Sequence, residues 1–521
     1  MIKLLSTFKD YLYSIKFIKH NKKVFKKKDR NTKNIILVEI NSLHSSIIAY
    51  SYLANFLSDY YDANIHAYKF NVQKKILYKI YNFINLKNII NYSKIYKSFG
   101  VNRIFENNLT FDEKQQSMLI SDKIYKSLKT KKNVLDIIID GIEIGDLLYD
   151  SFLKKYNEAT IDIKEEKFKN FLFHFIEIYF FWKKYLENNN VKALIVSHCV
   201  YHQALPLRLA ISKNIPSFQA SAAYIYRLSK NQKFAYKEYF DYKKEFLKLP
   251  EYKKIDGIRE AKHRLQQRFS GKVGIDLRYS KKSAYGKFLN TRLLKNNDKI
   301  KILIATHCFS DSPHSFGELL FPDFYEWINF LGKLSAKRDY DWYLKTHPDF
   351  IQSTRNRIKS FVKKYDRFEL LPAEASHLQI IDEGINFVLT CHGTIGHEYA
   401  AKGKTVINAS LNNPHISYNF NIHPKNIQEY ENLLLNLKNI NFSFDKKEVY
   451  EFYYMKYINE KANWLFKNHN ELIKNIGYYA QFNPVIYKIF LDQFSEDRHN
   501  EVLKSLKNFI NGNDYLFIPP D

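Results

Sequence analysis

The chain has 521 residues, of which 45% are hydrophobic and 16% aromatic. This length exceeds what one compact core accommodates and predicts two domains. The formal net charge of +27 favours an anionic partner, but the basic residues are spread along the chain and form no RNA-binding motif, so no nucleic-acid partner is expected.

The cysteine content and the hydropathy pattern both bear on the compartment. The three cysteines, Cys199, Cys308 and Cys391, are too few for a secreted disulfide framework and favour a reducing cytoplasm. No apolar run reaches the roughly 18 residues of a membrane span, and the N-terminus lacks the features of a signal peptide. The sequence therefore predicts a cytoplasmic protein.

Residues 1–33 form a basic segment that differs from the rest of the chain. They hold eleven Lys or Arg residues against two Asp, with apolar residues at loose helical intervals. Such a segment can lie on an anionic membrane surface, which predicts a protein peripheral to the inner face of the cytoplasmic membrane. A frayed basic tail ahead of the first core strand, expected near Asn34, is the alternative.

Residues 34–230 read as a Rossmann-like domain. Buried apolar runs alternate with longer helical patterns, and this alternation is typical of β-α-β units with a parallel sheet. The predicted strands are Asn34–Ile40, Ala63–Phe70, Leu135–Asp140, Ala193–Ser197 and Ser217–Ala220, and the clearest helices are 47–60 and 168–187.

The remaining residues predict a connector, a second Rossmann-like domain and a helical end. Residues 231–298 read as a helical connector, 299–445 as the second Rossmann-like domain, and 446–521 as helices that cross back to the first domain. The predicted strands of the second domain are Lys301–Thr306, Trp342–Lys345, Phe368–Leu371, Phe387–Thr390 and Thr405–Ile407. The predicted fold class is thus α/β, with two doubly wound parallel sheets.

Two motifs follow strands of the second predicted sheet. Residues 391–394, Cys-His-Gly-Thr, form a polar turn between a strand and a helix that Gly403 closes. Backbone N–H groups at such a turn favour an anion. In the other motif, Pro348 disfavours helix at His347, so this imidazole is expected at a strand tip, where it can donate a hydrogen bond to a phosphate oxygen.

These motifs resemble one family over roughly residues 300–410. Lys-Thr-His347-Pro348, followed by Cys-His392-Gly393-Thr394-Ile-Gly-His-Glu398-Tyr-Ala-Ala-Lys-Gly, is similar to the carboxy-terminal half of capsule and surface-polysaccharide glycosyltransferases of the GT-B fold. The similarity is greatest to bacterial Kdo- and sialic-acid-type transferases, which hold a CMP-sugar with a His-Pro motif and a later Ser/Thr motif. His392–Gly393–Thr394 stands where a Ser-Ser or Ser-Thr pair is commoner, so the donor base stays open.

The resemblance implies two domains facing across a cleft and an inverting, metal-independent glycosyltransferase. The donor would be a nucleotide-sugar, such as CMP-Kdo or another 2-keto acid sugar, and the acceptor a capsular polysaccharide, another surface glycan or a glycolipid. His347 would contact the donor phosphate, Thr394 and the Gly393 backbone would complete the phosphate cradle, and Glu398 would bind the ribose hydroxyls. No cofactor is implied.

Further candidates for donor binding lie at the same predicted sheet edge. Lys345 can stabilise the leaving-group charge, and His307 and Ser310 follow the first strand of the second domain. Residues 310–313 read equally well as a turn and helix N-cap. Neither an Asp-x-Asp motif at a strand end nor the close Cys and His spacing of a zinc site occurs, so no metal is expected.

An inverting transfer also needs a base for the acceptor hydroxyl. Related sialyltransferases carry an acidic motif ending in Gly, and Ile139–Asp140–Gly141 is the nearest match, at the end of a predicted strand. Asp140 is therefore the first candidate, although it can also be a helix cap. Asp146 is the second, and His44 is a further candidate that reads more readily as structural.

Three other functions stay open. A nucleotide-sugar 2-epimerase would pair two such domains and convert its donor without an acceptor. A polyol-phosphate transferase that uses CDP-glycerol is related through its own Lys-x-His-Pro pattern. A non-catalytic partner in polysaccharide assembly or export would retain the fold with a decayed site.

Overall fold

The computed structural model describes residues 2–25, 30–70, 92–274, 276, 277, 280, 282–347, 352–459 and 463–519. Within them the strands are, in chain order, β1 Asn34–Glu39, β2 Asn64–Lys69, β3 Val101–Glu106, β4 Ile138–Ile139, β5 Ile142–Glu143, β6 Asn190–Val196, β7 Ser217–Ala220, β8 Ile225–Leu228, β9 Lys301–Ala305, β10 Asp341–Lys345, β11 Phe368–Leu370, β12 Phe387–Thr390 and β13 Thr405–Asn408.

The α-helices of the same residues flank these strands. They are α1 Ile2–Val24, α2 His44–Tyr60, α3 Tyr92–Ser98, α4 Phe111–Ser127, α5 Lys131–Leu135, α6 Gly145–Tyr156, α7 Glu166–Asn188, α8 Leu205–Ser212, α9 Tyr242–Leu247, α10 Glu251–Phe269, α11 Phe324–Ser335, α12 Gln352–Lys364, α13 His377–Asp382, α14 Ile395–Ala401, α15 Ile427–Leu435, α16 Lys446–Tyr453, α17 His469–Ile476, α18 Val485–Gln493 and α19 Glu496–Asn511.

The strands form two sheets with the same winding. The first has the order β3-β2-β1-β6-β7-β8 and the second β11-β10-β9-β12-β13. Neighbouring strands are parallel throughout, except that β8 runs antiparallel to β7. Strand order reverses between β1 and β6 and again between β9 and β12, and ligands bind at the carboxyl ends of strands at such switch points. The predicted α/β class with two doubly wound parallel sheets is confirmed.

Burial on both faces explains why the central strands are apolar along their whole length. In β1, Ile35 and Leu37 pack into the core shared with α6, α7 and α8, whereas Ile36 and Val38 pack into the core shared with α2 and the C-terminal helices. Parallel strands covered on both faces read as continuous apolar runs, which is why the sequence predicts them well.

The prediction of a strand over Leu135–Asp140 is wrong. Leu135 ends the short helix α5, and β4 pairs only with β5, in a two-stranded antiparallel hairpin outside both large sheets. Asp140 and Gly141 form its turn, with φ angles of +53° and +75°. An Asp-Gly pair with positive φ at both positions is the usual chemistry of a tight hairpin, so this apolar run feeds a turn and does not reach a sheet edge.

The C-terminal helices pack on both halves of the molecule. α16 contacts α10 of the connector and α14 of the second half. Residues 463–517 lie on the first half, where the Trp464 indole donates to the Ser221 carbonyl at 3.2 Å and Leu516 forms a β-bridge with Tyr226. The chain therefore returns to the first sheet after completing the second.

Residues 2–24 of the basic N-terminal segment form α1, which is built into the first half of the molecule. Phe17 is fully buried and stacks on Tyr487 of α18 with ring centroids 4.2 Å apart. Asn21 donates to Ser98 Oγ at 3.0 Å, and Phe25 is buried in the same core. The alternative of a frayed tail ahead of Asn34 is therefore wrong for α1, because its side chains are part of the core. No helix in the described part of the chain is long and apolar enough to span a membrane.

Phe17→Ala tests this packing. The substitution empties a fully buried site and should cost about 3–5 kcal/mol, so the midpoint of thermal unfolding should fall. Phe8, on the same helix but 59% exposed, is the matched control, and Phe8→Ala should stay within about 0.5 kcal/mol of the wild type. Equal midpoints for the two variants would contradict the assignment of α1 to the core.

Candidate functional site

Helix α6 of the first half and the loop after β9 in the second half form a buried polar junction. His314 Nδ1 lies 2.6 Å from Asp150 Oδ1, and its Nε2 donates to the Pro322 carbonyl at 3.0 Å. Burial alone would lower the pKa of His314, but the Asp150 carboxylate raises it above its ordinary value, while burial raises the pKa of Asp150. Tyr149 donates to Asp323 at 2.5 Å beside this pair.

The same junction brings the carboxyl edges of the two sheets together. Tyr201, in the loop after β6, donates to Asp311 at 2.9 Å, and Asp311 lies in the loop after β9. Lys154 of α6 pairs with the same carboxylate at 2.7 Å. Ser310 is buried here and donates to Asn157 Oδ1 at 3.1 Å, so this predicted donor contact is an interdomain contact in the structure.

The turn after β12 is fixed by His307, which follows β9. The Cys391 amide donates to His307 Nε2 at 3.2 Å, and Thr390 Oγ1 lies 3.2 Å from the same nitrogen. The Gly393 amide donates to Thr390 Oγ1 at 3.3 Å. A Cβ on Gly393 would meet this oxygen at 3.0 Å and the His307 ring at 3.4 Å, so glycine is what allows the turn to close.

His392 and Thr394 lie on this turn and are half-buried. The His392 ring packs among His307, Phe316 and Phe324, and burial lowers its pKa to about 4. Its Nε2 atom is buried without a hydrogen-bond partner in the described structure. Thr394 caps α14 through its backbone, and its hydroxyl makes no capping hydrogen bond.

A second group of predicted donor residues gathers at the carboxyl end of β10. Lys345 is buried, donates from Nζ to the Ala373 carbonyl at 3.0 Å, and has its pKa lowered to about 8 by burial. Lys345 and the exposed His347 both lie close enough to His377 to lower its pKa further. Pro348 lies outside the described residues.

Glu398 is buried in an ion pair. Its carboxylate accepts from Arg268 Nε at 2.6 Å and from the Tyr285 hydroxyl at 2.8 Å. Burial opposes ionisation, but the Arg268 guanidinium outweighs it and lowers the pKa of Glu398 to about 2. Both carboxylate oxygens therefore have protein partners, and this arrangement favours a role in holding α14 to the connector. The predicted contact with ribose stays a prediction.

Of the predicted bases only Asp146 lies near the junction, one helical turn before Asp150 on α6, where its charge acts on His314 and Asp150. Asp140 lies on the β4–β5 hairpin, where Lys183 and Tyr179 of α7 donate to its carboxylate at 2.8 and 3.0 Å. The Lys183 hydrogen bond lowers the pKa of Asp140, which makes this carboxylate a weaker base. Asp146 pairs with the buried Arg208 at 2.5 Å.

His44 is buried at the start of α2 and points into the C-terminal helices. Its Nδ1 atom lies 2.7 Å from the Tyr487 hydroxyl, and its ring stacks on Tyr92. Burial lowers the pKa of His44 to about 4. This environment agrees with the structural interpretation of His44.

The sequence did not single out Glu39, the last residue of β1. Its side chain is 3% exposed, and the Ser197 amide, directly after β6, donates to its carboxylate at 2.6 Å. β1 and β6 flank the switch point of the first sheet. Glu39 could have been found from the sequence, because its carboxylate directly follows the apolar run of residues 35–38. Asp150 was also missed, although it lies four residues after Asp146 and so on the same face of α6.

Across the described ranges no group of three or more His, Cys, Asp or Glu side chains is arranged to hold a metal ion. Most of the predicted donor residues instead lie in two groups at the edge of the second sheet. One contains His307, His392, Gly393 and Thr394, and the other contains Lys345 and His347. Ser310 lies at the junction, and Glu398 is held in its ion pair with Arg268.

Comparison with known proteins gives loose structural likenesses only. No protein-family model and no curated protein matches the chain. UDP-GlcNAc 2-epimerase from Neisseria meningitidis, bound to UDP-GlcNAc, is 10% identical over 88% of this chain and 100% of its own, with a TM-score of 0.23. The corresponding enzyme from Methanocaldococcus jannaschii is 10% identical over 80% and 98%, with a TM-score of 0.24.

The wall teichoic acid polymerase TagF is 12% identical over 95% of this chain and 96% of its own, with a TM-score of 0.21. Superpositions this loose carry no argument about activity. The assignment of the fold therefore rests on the strand order of the two sheets.

Glu398→Gln separates a scaffold role from ribose binding. It leaves the buried Arg268 without a counter-charge and should cost about 3–5 kcal/mol, seen as a lower midpoint of thermal unfolding. Because the folded pKa is depressed, the stabilisation is present above the ordinary pKa of 4.5 and is lost as pH falls towards 2. Glu369→Gln, which breaks the exposed Lys295 pair, is the control and should cost at most about 1 kcal/mol. An unchanged midpoint in Glu398→Gln would argue against the scaffold role.

Proposed function

We propose that the protein is a glycosyltransferase that moves a sugar from a nucleotide donor to a surface-polysaccharide or glycolipid acceptor. The observation that carries this proposal is the meeting of two carboxyl edges at one junction, where Tyr201 after β6 contacts Asp311 after β9. Two substrates, one held by each sheet, would then face each other.

The donor belongs on the second sheet. The turn at residues 391–394 is pre-formed by His307 and Thr390, so binding would not require it to be ordered. Lys345 ends β10, which lies on the other side of β9 from β12, and His347 follows two residues later. Together they supply the positive charge that a departing phosphate needs. In this proposal Thr394 and the Gly393 backbone hold the phosphate, and no cofactor or metal takes part.

The donor class is proposed more narrowly from the sequence resemblance. Lys-Thr-His347 together with His392–Gly393–Thr394 supports a CMP-activated 2-keto acid sugar such as Kdo, transferred with inversion. The four nucleotides to compare are CMP, UDP, GDP and CDP in their sugar- or polyol-activated forms. A donor at 100 times its dissociation constant should add about 2.7 kcal/mol of stability.

A donor panel followed by thermal unfolding, with and without acceptor glycans, tests the proposal. A rise in midpoint with one donor class, and sugar transfer only when acceptor is present, is the expected result. Conversion of the free donor without acceptor would identify an epimerase instead. Failure of every nucleotide-sugar to shift the midpoint would remove the proposal.

His347→Ala and Thr394→Ala should each weaken donor binding without unfolding the protein. Loss of one charge-assisted contact to phosphate should cost about 1.5–3 kcal/mol of binding free energy, measured by calorimetry with the donor that the panel identifies. His263→Ala, at an exposed position on α10, is the matched control and should bind donor normally. Wild-type affinity in both site variants would move the donor away from these strand ends.

We further propose that the exposed face of α1 contacts an anionic membrane surface. The side of α1 opposite Phe17 exposes Phe8, Tyr11 and Leu12 together with a row of lysines, namely Lys9, Lys16, Lys19, Lys22 and Lys23. Aromatic side chains at the headgroup level combined with lysines match an anionic bilayer rather than a neutral one.

Because the inner face of α1 belongs to the core, the membrane test uses surface substitutions. Lys16→Glu with Lys19→Glu should weaken sedimentation with vesicles of phosphatidylglycerol and phosphatidylcholine by at least about 2 kcal/mol, since each lysine contributes about 1 kcal/mol. Lys253→Glu with Lys262→Glu, at exposed positions on α10, is the control. If the α1 variant binds as the wild type does, or if pure phosphatidylcholine vesicles bind equally well, α1 is not an electrostatic anchor.

A further inference from the structure

Glu39 ends β1, the strand of the first sheet that corresponds to β9 of the second, and it lies beside the loop after β6, which corresponds to the turn after β12. It is the last residue of β1, and Ser197 is the first residue after β6, so their contact bridges the two strands at the switch point. The loop that begins at Ser197 continues to Tyr201, which contacts Asp311 of the second half. Glu39 therefore lies beside the start of the loop that contacts Asp311 of the second half.

The surroundings of Glu39 are polar but carry no opposite charge. Tyr50 of α2, Tyr68 of β2 and Tyr96 of α3 are the titratable groups that face it, and Ser197, directly after β6, supplies the amide donor. Within the described part of the chain Glu39 forms no ion pair. Burial consequently dominates and raises the pKa of Glu39 to about 7, although the Ser197 hydrogen bonds oppose the shift.

Each of the other candidate carboxylates has a basic partner. Asp146 pairs with Arg208, Asp150 pairs with His314, and Asp140 accepts from Lys183. A carboxylate held by a cation gives up basicity, because the cation stabilises its charged form. Burial raises the pKa of Asp150 as well, but the His314 ring opposes that shift, whereas no cation faces Glu39 in the described structure. Burial without an opposing cation is how enzymes raise a carboxylate into the range of a useful base.

We propose that Glu39 is the general base of the transfer reaction, a proposal that rests on the proposed function. As the acceptor hydroxyl oxygen forms its bond to the anomeric carbon of the donor, Glu39 accepts the hydroxyl proton. The bond between the anomeric carbon and the phosphate oxygen breaks, and the nucleotide leaves with the electron pair. The buried carboxylic acid that forms is the state that this environment favours.

Glu39→Gln tests the proposal against Glu187→Gln, at an exposed position on α7, as the control. Glu39→Gln should lower kcat by about 10²- to 10⁴-fold while leaving the donor-induced rise in unfolding midpoint intact. The wild-type rate should rise with pH through about 7, and this rise should be absent from the residual activity of Glu39→Gln. Glu39→Asp, which keeps the acid but shortens it, should recover part of the rate. Glu187→Gln should turn over near the wild-type rate.

A readout without substrate separates this proposal from the proposed function. A raised folded pKa means that the stability due to Glu39 is present below its ordinary pKa of 4.5 and is lost as pH rises through about 7. The unfolding midpoint of Glu39→Gln relative to the wild type should therefore rise between pH 5 and pH 8, a window set by that pKa.

Two outcomes overturn the proposal. Turnover of Glu39→Gln within about tenfold of the wild type would exclude general-base catalysis by this residue, since such a base contributes at least about 10²-fold. A constant difference in midpoint across that pH range would show that Glu39 does not titrate there, and this result decides the matter even if no donor and acceptor pair is turned over. If the wild type transfers sugar and Glu39→Gln does so at a normal rate, the proposed function stands and only the assignment of Glu39 as the base is rejected.

Discussion

Charges buried between the two halves of the molecule must be paired, and this requirement fixes how the halves meet. Asp150 and His314 are each almost fully buried, and each is tolerated there only because the other is present. The pair joins α6 of the first half to the loop after β9 of the second, so the partner requirement also fixes which loops face each other. Tyr149 and Asp323 add a second buried contact of the same kind.

This junction explains why the two switch points lie on one side of the molecule. The loop that carries His314 begins at β9, which flanks the second switch point, and α6 packs beside the loop after β6, which flanks the first. Holding α6 against the loop after β9 therefore brings the loop after β6 to Asp311, as the Tyr201 hydrogen bond shows. The proposed transfer would need such a relation between the two sheet edges, because donor and acceptor must meet in a fixed geometry for reaction.

The sequence predicted the central strands well and the contacts between distant segments poorly. β7 and β12 were located to the residue, because strands covered on both faces leave a continuous apolar signal. β3 was missed because this edge strand exposes Asn102 and Arg103 and carries no such signal. The strand predicted over Leu135–Asp140 was wrong because apolar periodicity does not distinguish a sheet strand from a short helix followed by a hairpin.

The site divides in the same way. His392, Gly393 and Thr394 were identifiable because a strand, a glycine turn and a helix are contiguous in sequence. Glu398 was assigned to ribose from the resemblance, whereas its partners Arg268 and Tyr285 lie more than a hundred residues away. The pairing of Asp150 with His314 joins segments that are 164 residues apart in sequence. Contacts between segments so far apart leave no local pattern in the sequence. These contacts determine whether a carboxylate is free to act as a base or is held in a structural ion pair.

The protonation states of the site residues assign them different tasks. His307 accepts the Cys391 amide at Nε2, and burial and the neighbouring His392 lower its pKa well below the ordinary value, so it is a neutral acceptor that shapes the turn. Burial likewise leaves His392 uncharged near neutral pH. Lys345, whose lowered pKa of about 8 still leaves it largely protonated at neutral pH, is a source of positive charge at the end of β10. The two histidines are thus suited to fixing the geometry of the turn. In the proposed reaction, the charge that a departing phosphate needs would come from Lys345 on the other side of β9.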